Sequence, residues 1–178
     1  HYYREDLELT YAVTDEILAA EPEASPLIRS KTFYLRGLIA AQRGNAQALR
    51  EAIAGLGEPA LPQLMADRYD LMGHLAMAEK NWKAAIDAFD RTADLRREDL
   101  DYARMIEALV LAARACEQAK DLSQASSRYL RAGISATLQG EHRKARKWLK
   151  RAETSAVAGG DPLVAGRARH HLEKLPGD

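Results

Sequence analysis

The sequence has 178 residues, and 47% of them are hydrophobic, which is enough for a packed core. Its 26 basic and 26 acidic residues cancel to a formal net charge of zero, and its single cysteine excludes an internal disulfide and a cysteine-rich zinc site. The 11 glycines and 6 prolines are few enough to favour helices, and no apolar run approaches the roughly 20 residues that span a bilayer.

Apolar residues recur at helical spacing along most of the chain. No segment shows the sustained alternation of apolar and polar residues that is typical of a half-buried strand. The breaks between helices are short and contain Gly, Pro, Asn or Asp, so we expect successive helices to be antiparallel and adjacent. The predicted helices cover residues 4–20, 28–43, 46–56, 63–79, 82–96, 99–119, 122–138, 142–157 and 162–173.

Three segments repeat the same order of aromatic, glycine and small residues, which indicates a repeat protein. The second copy follows the first by 36 residues, and the third follows the second by 60, which equals one repeat plus one additional long helix. The helix at 99–119 therefore has two possible registers. Strict alternation pairs Ala113 with Ala125, whereas sequence similarity favours a unit that pairs Gly133 with Ala145. The copies contain Phe33, Gly37 and Ala40, then Tyr69, Gly73 and Ala76, then Tyr129, Gly133 and Ala136.

The central copy resembles the tetratricopeptide repeat family, whose unit of about 34 residues consists of two antiparallel helices. It departs from the family pattern at Thr92, where Ala is usual, and at Arg97, where Pro is usual. The first copy departs at Arg36 and Leu49. The resemblance covers about residues 28–159. The matching residues of the central copy are Tyr69, Met72, Gly73, Ala76, Asn81, Trp82, Ala85 and Phe89.

The resemblance implies an all-α, right-handed α-α superhelix, built as a solenoid of antiparallel helix hairpins in a single domain over residues 1–178. The helix at 4–20 would lead the array as a second helix without its partner. Hairpins would follow at about 28–56, 63–96, 99–138 and 142–173.

A small residue, Ala85, lies between the large apolar residues Trp82 and Phe89. In a hairpin of this family two helices cross closely, so we expect Gly73 on the first helix to face Ala85 on the second. Trp82 and Phe89 would then fill the space on either side of the contact.

The sequence contains no residue pattern of a known enzyme class or metal site. Its five histidines lack a ligand spacing such as H-E-x-x-H, and the adjacent His170 and His171 would point about 100° apart on a helix. Cys116 has no accompanying catalytic histidine motif, and no glycine-rich phosphate loop occurs. The sequence therefore predicts a non-catalytic protein without a cofactor or metal ion.

Repeat proteins of this kind bind partners along the wall formed by the first helix of each unit. The resemblance therefore implies a protein–protein interaction scaffold that binds a peptide or helix of a partner in its concave groove. Acidic residues beside His74 would suit a basic or amide-rich peptide, and the combination of Asn and Lys that clamps a terminal carboxylate in chaperone-binding members is missing. The implied groove residues are Lys31, Tyr34, Leu38, Gln42, Asp67, Asp70, His74 and Met77, with Ser127, Leu130, Ile134 and Leu138 from the third copy.

A basic stripe, defined as Arg143, Lys147, Lys150 and Arg151, recurs at helical spacing on one side of the helix at 142–157. Residues 122–158 contain 8 basic and 2 acidic residues. A solvated helix face is the simpler interpretation of this stripe. The alternative is binding of nucleic acid or an anionic surface, although the absence of interleaved aromatic residues for base stacking disfavours nucleic acid.

Charge is distributed unevenly along the chain. Residues 1–100 contain 12 basic and 17 acidic residues, and the remaining residues contain 14 and 9. This asymmetry suggests a homo-oligomer joined acidic end to basic end, or a self-assembling scaffold of the bacterial envelope. The sequence begins at His1 without a leader pattern, so we expect either that a leader was removed or that the chain is a piece of a longer protein. Because no apolar run is long enough to span a bilayer, we expect a soluble protein, either cytoplasmic or periplasmic.

Overall fold

The computed structural model describes residues 12–19 and 25–176, and within these ranges all regular secondary structure is α-helical. None of the described helices is both long and apolar enough to cross a bilayer. Residues 12–19 form helix α1, and the rest of the predicted helix 4–20 lies outside the described residues. The following helices are α2 (Pro26–Gln42), α3 (Ala46–Leu56), α4 (Pro62–Ala78), α5 (Trp82–Glu98), α6 (Tyr102–Gln118), α7 (Leu122–Leu138), α8 (His142–Ala158) and α9 (Pro162–Glu173), each within three residues of its predicted bounds.

A three-residue turn of one kind connects successive helices from α4 to α9. Its middle residue has a left-handed backbone, with φ of 59° at Lys80 and 74° at Gly140. The next residue caps the following helix in most of these turns. In the first turn the Asn81 side chain accepts a hydrogen bond from the backbone N–H of Ala84 at 3.2 Å. Because α4 to α8 each have 17 residues and each turn has three, a helix starts every 20 residues.

The helices form two layers, because each helix packs on the next and side chains bridge alternate helices. One layer contains α2, α4, α6 and α8, and the other contains α3, α5, α7 and α9. In the first layer Tyr34 of α2 donates a hydrogen bond to Asp70 of α4 at 2.9 Å. In the second layer Arg128 of α7 pairs with Asp90 of α5 at 2.5 Å. The prediction of an all-α superhelix of adjacent antiparallel helices is confirmed.

Glycine residues set the close approach of consecutive helices in the core. A Cβ atom added at Gly73 of α4 would lie 2.5 Å from the Phe89 ring of α5, and one added at Gly133 of α7 would lie 2.7 Å from Leu149 of α8. The expectation that Gly73 faces Ala85 is therefore wrong. Ala85 is fully buried one helical turn before Phe89, and the Phe89 ring fills the space beside Gly73.

The spacing of the three sequence copies follows from the lengths of the helices. α3 has only 11 residues, so α4 starts 36 residues after α2, whereas α7 starts 60 residues, or three helix steps, after α4. An odd number of steps places the third copy in the other layer. For this reason the predicted third-copy groove residues do not share a wall with α2 and α4. These residues are Ser127, Leu130, Ile134 and Leu138 of α7.

In the two alternative registers for the helices at 99–138, α7 pairs either with α6 or with α8, and in the structure α7 packs on both. Ala113 of α6 and Ala125 of α7 are fully buried in one core cluster, and Ala145 of α8 belongs to the same cluster. Each helix in this part of the chain packs closely on both neighbours, so one pairing does not exclude the other. A helix pair here takes 40 residues, which is longer than the family unit of about 34.

Ala85→Leu is expected to lower the free energy of unfolding by about 1–3 kcal/mol, because the fully buried Ala85 packs among α4, α5 and α6 without room for a larger side chain. Chemical denaturation followed by far-UV circular dichroism measures this change. Ala54→Leu at an exposed position of α3 is the control and should alter stability little. Equal unfolding midpoints for the wild type and Ala85→Leu would contradict the close packing at this position.

Candidate functional site

A groove runs along the layer that contains α2, α4, α6 and α8. It consists of three adjoining clefts of about 340, 400 and 430 Å³, which we call the N-terminal, central and C-terminal clefts. Glu107 and Leu111 line both the N-terminal and the central cleft. Arg114, Lys147 and Trp148 line both the central and the C-terminal cleft. Because neighbouring clefts share walls, they form one continuous surface across four helices.

Five of the eight groove residues predicted on the first two copies come together in the N-terminal cleft. Lys31, Tyr34 and Leu38 reach it from α2, and Asp70 and His74 reach it from α4. Their convergence follows from the 36-residue step between α2 and α4, which places equivalent positions of the two helices side by side.

The other three predicted groove residues do not line the groove. Gln42 is exposed at the last position of α2. Met77 is partly buried against the core between α4, α5 and α6. Asp67 is fully buried beneath the N-terminal cleft.

A buried ion-pair network forms the floor of the N-terminal cleft. The Asp67 carboxylate lies 2.5 Å from Nζ of Lys31, and it also pairs with the guanidinium of Arg96 from α5. Arg96 is almost fully buried and lies 3.9 Å from the carboxylate of Asp101 at the start of α6. The network therefore ties α2, α4 and α5 together under the groove.

Asp70 is the second acidic residue of this floor. It accepts the hydrogen bond from the Tyr34 hydroxyl, and burial raises the pKa of Asp70 while it lowers the pKa of the neighbouring His74. The His74 ring packs edge-on against Phe89, with ring centroids 5.3 Å apart. Because Asp67 and Asp70 both hold internal partners, these contacts remove the basis for expecting a basic or amide-rich peptide.

Three residues of the basic stripe, Lys147, Lys150 and Arg151, line the C-terminal cleft. Arg143 is exposed on α8 and does not line this cleft. The Lys147 ammonium lies 4.5 Å from the centroid of the Trp148 ring, within the range of a cation–π contact. Most of the stripe is thus part of the groove.

Trp148 forms an aromatic wall of the C-terminal cleft. Its ring is stacked on Tyr129 of α7, with centroids 5.8 Å apart and planes 8° from parallel. Arg151 lies over the Tyr129 ring and forms an ion pair with Glu117 of α6 at 2.7 Å. These contacts hold the aromatic pair and the Arg151 side chain in place at the wall.

The groove residues of α6 were not predicted from the sequence. Arg104, Glu107 and Arg114 line the clefts from the middle of the layer. The signal that could have identified them is the 40-residue spacing of alternate helices. Glu107, for example, lies 40 residues after Asp67 and 40 residues before Lys147. The short α3 hides this spacing in the first copy, where the step is 36 residues.

The groove combines charged and apolar side chains. Within the described ranges, no group of three or more His, Cys, Asp or Glu side chains is arranged to hold a metal ion. Burial raises the pKa of Cys116 to about 11, so this thiol stays protonated at neutral pH. The groove instead presents apolar side chains such as Leu35 and Leu111 between charged ones.

No family model and no curated protein matches this chain. Among solved structures, the chain is similar to BtubC (BKLC) from P. vanneervenii, with 12% sequence identity and a TM-score of 0.37. The alignment covers 98% of this chain and 92% of that chain.

Proposed function

We propose that the chain is a non-catalytic protein–protein interaction scaffold that binds an extended segment of a partner in the groove. The observation that carries this proposal is the continuity of the three clefts across four helices. The resemblance of the central repeat to the tetratricopeptide repeat family supports it as well. The buried network around Asp67 stiffens the floor, which reduces the entropy cost of forming the surface on binding.

The size of the groove fits a short extended peptide. Directly packed helices lie about 8–10 Å apart, and α4, α6 and α8 pack mainly on α5 and α7, so the layer from α2 to α8 is at least roughly 25 Å across. An extended chain advances about 3.3 Å per residue, so a segment of at least roughly eight residues would cross all four helices. Leu35 and Leu111 offer apolar contact, while the charged residues around them set the orientation of the peptide.

Selection from a displayed library of random peptides, each about 16 residues long, tests this proposal. Glu107→Trp should weaken binding of the selected peptides at least about tenfold, because the indole would fill the junction of the N-terminal and central clefts. Fluorescence anisotropy with labelled peptides measures the dissociation constants. Glu107 is exposed on a helix, so this substitution leaves the core intact.

Glu98→Trp is the matched control, because Glu98 is also an exposed helical glutamate and lines none of the three clefts. It should leave peptide binding unchanged. The proposal is overturned if the library yields no binders, or if Glu107→Trp and Glu98→Trp affect the selected peptides equally.

A further inference from the structure

Three cations in the C-terminal half of the groove have no counter-ion among the described residues. Arg114 of α6 and Lys147 and Lys150 of α8 all line the C-terminal cleft. In the described part of the chain, no carboxylate lies within 4.0 Å of their charged nitrogen atoms. These three side chains are therefore available to an anionic ligand.

The carboxylates that line the central and C-terminal clefts do not neutralise the positive charge of these three residues. The central and C-terminal clefts together contain five basic and three acidic residues. Glu117 and Glu141 are already paired with Arg151 and Lys144, at 2.7 and 2.8 Å. Glu107 lies at the other end of the central cleft, where it adjoins the N-terminal cleft.

The surface between these charges is apolar. Ile106, Val110 and Leu111 of α6 line the central cleft, and the partly buried Trp148 lines both clefts. The cations thus surround an apolar and aromatic surface. A ligand that carries carboxylates on either side of an apolar side chain complements this arrangement.

We infer that the segment bound in the central and C-terminal clefts is an acidic peptide of another protein. Its carboxylates pair with Arg114, Lys147 and Lys150, and one of its apolar side chains packs on the apolar residues of α6 that line the central cleft. This inference rests on the proposed function. Nucleic acid fits the site less well, because Tyr129 covers one face of Trp148 and Lys147 lies 4.5 Å from the same ring, which leaves no free face for a stacked base.

Three fluorescein-labelled peptides of about 12 residues test the inference. All three share the same Leu, Ser and Gly residues, and four further positions hold Glu in the first peptide, Gln in the second and Lys in the third. We expect the Glu peptide to bind at least about tenfold more tightly than the Gln peptide and the Lys peptide not to bind. Raising the salt concentration should weaken binding of the Glu peptide, because salt screens exposed ion pairs.

The triple variant Arg114→Gln, Lys147→Gln, Lys150→Gln should bind the Glu peptide at least about tenfold more weakly than the wild type does. Its matched control removes three exposed arginines that line none of the clefts and should leave the affinity unchanged. Both triple variants change the net charge equally, so a difference in their affinity for the Glu peptide arises from the location of the removed charges in the cleft. The control substitutions are Arg91→Gln, Arg143→Gln and Arg167→Gln.

Four results would overturn the inference. The first two are equal binding of the Glu and Gln peptides, and equal effects of the two triple variants on the affinity for the Glu peptide. The third is binding of a twelve-nucleotide oligothymidylate that is tighter than binding of the Glu peptide and that the cleft variant abolishes. The fourth is dimerisation of the wild type that the cleft variant abolishes. If the Gln peptide binds as well as the Glu peptide and Glu107→Trp prevents both, the acidic partner is wrong while the proposed function stands. If the library selection also yields no groove-dependent peptide, both are wrong.

Discussion

Asp67→Asn is expected to lower the free energy of unfolding by about 3–5 kcal/mol, because it removes one partner of a buried ion pair. The side chains of Asp67 and Arg96 are 0% and 2% exposed. Without the carboxylate, the Arg96 guanidinium stays buried, and its remaining ion-pair partner within 4.0 Å among the described residues is Asp101, at 3.9 Å. Asparagine has nearly the same volume as aspartate, so packing changes contribute little. Urea unfolding followed by circular dichroism measures the loss.

Two further variants separate the cost of a buried charge from the loss of any ion pair. Asp87→Asn removes the exposed pair with Lys83 on α5 and should leave the unfolding midpoint nearly unchanged. Asp67→Leu combined with Arg96→Met replaces both charges by apolar side chains and should recover most of the lost stability. A double variant as unstable as Asp67→Asn would show that the buried charge is not the cause.

Phe89→Ala is expected to lower the free energy of unfolding by about 3–5 kcal/mol. The Phe89 side chain is fully buried between α4 and α6, and its ring packs on Gly73 and against the edge of His74. Truncation leaves a cavity that the surrounding helices fill only in part. The same urea titration measures the effect, and a loss below about 1 kcal/mol would contradict the role of Phe89 in the core.

Alanine substitutions at two helical glycines test the contact between Gly73 and Phe89. Gly73→Ala alone should destabilise the protein, because its Cβ atom would lie 2.5 Å from the Phe89 ring. In the Phe89→Ala background the same change should be neutral or stabilising, so the two effects are not additive. Gly166→Ala in α9 is the control. Nothing lies within 4 Å of its added Cβ, and helix propensity should raise stability by up to about 1 kcal/mol.

The helices were predictable because the signals that define them are local. Apolar spacing and capping residues act over a few neighbouring positions, as the side chain of Asp121 shows when it accepts the backbone N–H of Gln124 at 3.0 Å. The largest error is the start of α6, predicted at residue 99 and observed at Tyr102. There Asp101 is the cap and Leu100 has a left-handed backbone, which local patterns seldom indicate for a leucine.

The candidate site was predictable only in part. The 36-residue match between the first two copies placed Lys31, Tyr34 and Asp70 in one cleft. It did not predict the burial of Asp67, because one of the two cations that pair with Asp67 is Arg96, which lies on α5 and not on a first helix of a copy. The groove residues of α6 were not predicted for a related reason, because α6 belongs to none of the three sequence copies.

The sequence by itself determined where the helices begin and end and which small residues permit close packing, because periodicity, capping and side-chain volume are properties of nearby positions. Only the tertiary structure decided which layer each helix joins and which charges are buried. Whether two segments lie in the same layer depends on how many helices separate them. The burial of Asp67 depends on cations 29 and 36 residues away along the chain.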